Sequence, residues 1–176
     1  MLRNGNPEEV LKIKPLPSIS NIACIASLLL AACASFDGKG LASGSSVAQV
    51  EAVMGPPKDK VAVAGGDTIW FYPRGPFSPY TFAVRMSAAG TMLSVEQVLT
   101  EQNWSRIRIG QSTGQEVREL IGPPMGSKRL ERQQREVWGY TVESTIGVRH
   151  YLYVQFSADG IVRELVMVRD PDLDKP

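Results

Sequence analysis

One histidine, His150, and two cysteines, Cys24 and Cys33, are all that the 176 residues offer as imidazole base, thiolate nucleophile or soft metal ligand. A serine triad would need, besides that histidine, a serine on a strained elbow, and none is expected here. His150 opens a stretch of alternating polarity and reads as a strand-end residue at the rim of a core; a general base is the competing reading. Metal binding finds no ligand spacing, because one histidine and scattered carboxylates cannot close a coordination shell. Glu116 and Glu119 form a carboxylate pair by spacing, yet a helix cap accounts for the first and an exposed helix face for the second. Gly65-Gly66 is followed by strand-forming residues and reads as a turn, so no glycine loop cradles a phosphate ahead of a helix. These absences lead to an expectation of no catalytic residues, no metal, no organic cofactor and no small-molecule substrate.

Cys33 carries a different chemistry. Lys12 and Lys14 precede an apolar run over 19–32, interrupted by Ser20, Asn21 and Ser27. That run is shorter than the ~20 apolar residues needed to cross a bilayer. A basic flank, a short apolar core and small residues at its end describe a secretory signal. The segment 1–11 carries Glu8 and Glu9, which points to a start downstream of Met1. Leu30-Ala31-Ala32-Cys33 resembles the lipobox of bacterial lipoproteins; a plain secretory signal with a chance cysteine is the alternative. The resemblance implies a diacylglyceride on the Cys33 sulfur, cleavage just before it, and acyl chains as the sole covalent attachment. Two or three chains would anchor the protein durably. Ala34 and Ser35, in place of the aspartate usual in inner-membrane lipoproteins, imply the periplasmic face of the outer membrane. Cys24 leaves with the signal, so the mature chain has neither a free thiol nor a disulfide.

The net charge of the whole chain is +1. Loss of 1–32 removes Arg3, Lys12 and Lys14 against Glu8 and Glu9, leaving acidic and basic groups balanced, so nucleic acid is not an expected partner. Two local features could bind something else. Lys128, Arg129, Arg132 and Arg135 cluster where the sequence reads as a solvated loop; contact with anionic head groups or an acidic partner is the functional alternative. Arg74, Phe77 and Tyr80 lie in a segment holding Pro73, Pro76 and Pro79. Such a stiff loop with aromatics loses little entropy on docking; a hairpin connection whose aromatics fold back on the sheet is the plain alternative.

The elements that position these residues are written twice. Ser46, Gln49, Gly55 and Pro56 correspond to Thr113, Glu116, Gly122 and Pro123 at an offset of 67; Trp70 and Tyr72 correspond to Trp138 and Tyr140 at 68; Met86, Ser87, Ala88 and Gly90 correspond to Phe156, Ser157, Ala158 and Gly160 at 70. Ser46 with Gln49, and Thr113 with Glu116, make capping boxes. Val50, Val53 and Met54, matched by Val117, Leu120 and Ile121, form an apolar helix stripe. Gly55 and Gly122 are expected in the left-handed conformation beyond a helix end. Strands are expected over 68–72 and 136–140, then in two alternating runs from Tyr80 and from His150, each with one buried face. Asp159-Gly160 turns into a last strand over 161–168, and 103–107 is a lead-in turn or short helix. Trp70 and Trp138, at matched strand positions, are expected in the core. The expectation is an α+β chain of two tandem helix-plus-antiparallel-meander repeats: signal 1–32, lipidated linker 33–40, first repeat 41–99, second repeat 101–170, and a tail 171–176.

Read together, Val50, Gly55, Pro56, Trp70, Tyr72 and Gly90, with Val117, Gly122, Pro123, Trp138, Tyr140, Phe156 and Gly160, resemble the SmpA/OmlA family of small outer-membrane lipoproteins. That family includes the BamE component of the β-barrel assembly machine. The doubled unit is also similar to the β-lactamase-inhibitor-protein fold. The likeness spans nearly all of 41–170, although the BamE component carries one unit where this chain carries two. It implies a non-enzymatic, membrane-anchored interaction module that meets envelope proteins such as the barrel-assembly machine; an enzyme-inhibitor-like binding protein is the alternative.

Overall fold

Residues 37–144 and 146–170 are described by a computed structural model. The expected signal, Cys33 with its lipid, and the tail 171–176 lie outside these residues. Helix α1 spans Val47–Met54 and α3 spans Gly114–Ile121. Each begins where the sequence places a capping box. The Ser46 amide donates to Gln49 Oε1 at 2.8 Å and the Thr113 amide to Glu116 Oε2 at 2.8 Å, while each hydroxyl oxygen accepts from the third helical amide. Each ends on a glycine of positive φ, 78° at Gly55 and 83° at Gly122. Their ψ, however, is −172°, an extended glycine-only conformation and not the left-handed helical one expected. The cause is the next residue: Pro56 and Pro123 each push the preceding ψ away from helical values.

Two four-stranded antiparallel sheets follow, one per half. The first comprises β1 (Asp59–Ala62), β2 (Thr68–Pro73), β3 (Thr81–Met86) and β4 (Met92–Gln97). A short helix α2, Glu101–Trp104, leads into α3. The second sheet comprises β5 (Gly126–Leu130), β6 (Arg135–Glu143), β7 (Arg149–Phe156) and β8 (Val162–Arg169). In both, every strand pairs with its neighbour in the chain. Identical bridges tie each helix entrance to its sheet, Ser46 to Thr91 and Thr113 to Ile161. The class is α+β.

The expectation of one buried face fails for the first sheet and holds only in part for the second, where Gly139 and Thr141 of β6 are also buried on the side opposite the core. In β2, Ile69, Trp70, Phe71 and Tyr72 are all buried. Trp70 and Tyr72 pack with Val50 and Met54 of α1, whereas Ile69 and Phe71 form a separate cluster on the opposite face with Ala83 and Val98. That opposite face meets the second half: Arg118 of α3 pairs with Asp59, and Gly122 lies against Thr81 and Phe71. On its other side α3 buries Val117 and Ile121 against Tyr140, Leu152, Val154 and Phe156. Trp138 packs against that core, its ring 4.6 Å from Phe156, while remaining half-exposed. The layers therefore run α1, first sheet, α2 with α3, second sheet. Among the described residues no helix lies beyond the second sheet.

One reading is corrected outright. The basic cluster is not a loop: Lys128 and Arg129 lie on β5, Arg132 on a single 3-10 turn over Glu131–Gln133, and Arg135 starts β6. A strand there could not be read from apolar alternation, because β5 is a polar edge strand exposed along most of its length.

Candidate functional site

The second sheet turns Val137 and Gly139 of β6, Tyr153 of β7 and Val166 of β8 away from the core, since their neighbours Trp138, Tyr140, Val154 and Leu165 supply it. Val168 of the same row is 45% exposed. Val137, Tyr153 and Val166 are half-buried, and with Val168 they make a contiguous apolar strip, more informative than a scattered leucine.

The loop 73–80 stands at the rim of this face. Its ends are closed by the Arg74 amide donating to the Tyr80 carbonyl at 3.0 Å. The Gln97 side-chain amide braces it, donating to the Pro79 and Leu99 carbonyls at 3.1 Å each. Tyr80 reaches the second half, where its hydroxyl donates to Glu143 Oε2 at 2.9 Å. That bond, and the negative charge behind it, raise the Tyr80 pKa above the usual phenol value. Phe77 is left 65% exposed at the tip. It lines a shallow groove of about 570 Å³ with Met125, Lys128, Val137, Tyr153 and Val166.

The residues singled out from sequence thus separate. Phe77 and Lys128 come together on one groove. Arg135 lies on the same face, donating to Gln155 Oε1 at 3.1 Å and Glu164 Oε2 at 3.0 Å across three strands. Tyr80 is engaged with Glu143, Arg74 is exposed at the base of the loop, and Arg129 pairs at 3.5 Å with Glu131. Arg132 is exposed on the 3-10 turn, outside the groove lining. Sequence reasoning missed Met125, Val137, Tyr153 and Val166. The signal was present in β7, where Tyr151 and Tyr153 put aromatics on the alternation opposite to Leu152 and Val154.

The remaining chemistry is modest. His150 is half-buried near the start of β7, its Nδ1 2.9 Å from the Val148 carbonyl oxygen. Among the described residues no three histidine, cysteine or carboxylate groups gather as a metal site. Gly110-Gln111-Ser112-Thr113-Gly114 does match the Gly-x-Ser-x-Gly pattern of a serine elbow, a motif that the expectation of no such serine passed over. Ser112 is 4% exposed, and its hydroxyl accepts from the Arg108 amide at 3.1 Å. A turn and not a strand precedes it, so the elbow that presents a nucleophile is missing. A second groove, about 680 Å³, separates the first sheet from α3 and carries both signs of charge, Arg85, Arg106 and Arg108 against Glu96, Glu116 and Glu119. Glu119 is half-buried there and accepts from Gln115 at 2.9 Å, not on an open helix face.

Comparison with known proteins adds little. No family model matches the chain, and no curated protein matches it. A crystal structure of a DUF4309 family protein (YjgB) from Bacillus subtilis subsp. subtilis str. 168 is similar over 75% of this chain and 84% of that one. The identity is 15% and the TM-score 0.30, too low to carry an argument about fold or function.

Proposed function

We propose that this protein is a non-catalytic lipoprotein of the outer membrane, held on the periplasmic face by acyl chains at Cys33, whose task is to bind another envelope protein. The observation that carries the reading is the uncovered face of the second sheet, with Phe77 and Lys128 at its edge. An aromatic on a braced loop beside an aliphatic sheet, rimmed by charge, has the makeup of an interface centre with a polar border. The two halves, with matched caps, matched Gly-Pro ends and matched sheet order, are read as a tandem SmpA/OmlA-like unit similar to the β-lactamase-inhibitor-protein fold. On that reading the protein serves as an accessory to β-barrel assembly or envelope integrity.

The test is cross-linking in intact cells, gentle extraction of the lipidated protein and identification of what is attached, with Cys33→Ala as the unanchored control. Enrichment of barrel-assembly components, lost in the control, is the expected result. Phe77→Ala should lower that yield while leaving the unfolding temperature unchanged, because a side chain this exposed contributes little to folding. Absence of the protein from the outer-membrane fraction would sink the reading.

A further inference from the structure

The internal repeat tells what covers a sheet face of this kind. In the first half, the face bearing Ile69, Phe71, Ala83 and Val98 is met by the helix of the following unit, α3, at Asp59, Phe71 and Thr81, with the groove lined by Ile69 and Val98 alongside. Register carries this face onto the second sheet. Asp59 opposite Phe71 and Val61 opposite Ile69 correspond to Gly126 opposite Gly139 and Lys128 opposite Val137. Ala83 opposite Glu96 corresponds to Tyr153 opposite Val166. The second sheet thus repeats the docking face, and among the described residues no following unit covers it.

At the other end of the stack lies the matching part. Helix α1 is the counterpart of α3, and among the described residues no second sheet lies outside it. Ala48 and Ala52 are exposed there, a small apolar surface that α1 does not need for its own core of Val50 and Met54. Charge agrees as well. Arg118 of α3 pairs with Asp59 on the edge strand of the sheet it covers. At the Arg118 position α1 carries Glu51; the Asp59 position is Gly126 on the bare sheet, and Lys128, two residues on along the same face, supplies a charge of the opposite sign. Glu51 is held only loosely within its own chain, 4.0 Å from Lys60.

We propose that the uncovered face of the second sheet receives α1 of a second copy of this chain, Glu51 of one copy facing Lys128 of the next, so that copies stack head to tail on the membrane. This rests on reading that face as an interaction surface: within a stack a second copy occupies it, and the last copy of each stack presents it to the envelope protein. The contact is heterologous: each copy offers a different surface at each end, and stacking continues beyond two unless the rotation closes a ring.

The experiment uses the full-length lipidated protein in its membrane, with Ala52→Cys in one tagged copy and Val168→Cys in a second, differently tagged copy. Both positions are exposed, so folding is not at stake. Mild oxidation should give a mixed-tag disulfide dimer, and both substitutions in one chain should give a ladder of higher species. Lys128→Glu should lower the mixed dimer roughly two- to fivefold, as expected for one exposed ion pair turned repulsive, and Glu51→Lys in the partner copy should restore it. A mixed dimer indifferent to both reversals overturns the stacking, since membrane crowding then explains the proximity. Val168→Cys joining only to itself, or to a different protein, overturns the stacking and leaves the interaction surface standing. No product from Val168→Cys with any partner removes both.

Discussion

Replacing Gly122 by alanine, with Gly55→Ala as its internal control, measures how tightly the two halves are joined. The two glycines end equivalent helices with nearly the same backbone, φ 83° and 78° and ψ −172° in both. A side chain in that conformation costs about 1–3 kcal/mol, and alanine recovers about 0.4–1 kcal/mol by restricting the unfolded chain, equally at both sites. The surroundings differ. A Cβ at Gly55 meets nothing within 4 Å, whereas at Gly122 it would stand 3.0 Å from Thr81 Cγ2 and 3.1 Å from Phe71 Cδ1. Phe71 is fully buried and Thr81 nearly so; neither can swing aside without disturbing the first sheet. Forcing a methyl into such a site costs roughly 1–3 kcal/mol more. Urea unfolding followed by tryptophan fluorescence should therefore place the Gly122→Ala midpoint below that of Gly55→Ala by about 0.5–1.5 M, for a slope near 2 kcal/mol/M. Coincident midpoints would refute the packing of α3 and its terminus against the first sheet.

The other expectations concern tyrosines, charges and caps. Burial lifts the Tyr72 hydroxyl to about 12 and Tyr140 higher still, so both fold as neutral phenols. Their contribution is intact below the unfolded value near 10 and is lost as pH rises through the folded values, about 3 kcal/mol for Tyr72; phenolate absorbance should climb together with unfolding in that window. A double-mutant cycle on Arg118→Ala and Asp59→Ala should give a coupling of only about 0.5–1 kcal/mol, because the pair is 40% and 22% exposed. Thr113→Ala and Ser46→Ala should each cost about 1 kcal/mol in thermal or urea unfolding, the usual value of an N-cap.

Local signals were the legible part. Serine and threonine caps, the Gly-Pro-Pro ends and the Asp159-Gly160 turn each act within a few residues, and all lie where the structure needs them. The doubling was legible too, because matched residues at steady offsets need no knowledge of contacts. What escaped was set by neighbours distant in sequence. The unbroken run Ile69-Trp70-Phe71-Tyr72 signals burial on both faces, yet alternation in β3 was read as one-sided, since only the docked α3 explains why Thr81 and Ala83 are buried. Strand β5 escaped because pairing with β6, not its own residues, makes it a strand. Of the candidate site, Phe77 and Lys128 were found; their meeting on one groove depends on how the halves dock, and no spacing encodes that.

Because every strand pairs with its chain neighbour, each sheet is assembled from short-range hairpins, a topology that folds quickly. A chain delivered amino terminus first has β1 to β4 complete before β5 has emerged. Until α3 arrives, however, Ile69, Phe71 and Ala83 stand bare on a finished sheet. The first half is therefore quick to form and exposed to aggregation for as long as the second is delayed. The order of synthesis makes α3 the segment that ends that exposure, and a holding chaperone would find its target on the face that α3 later closes.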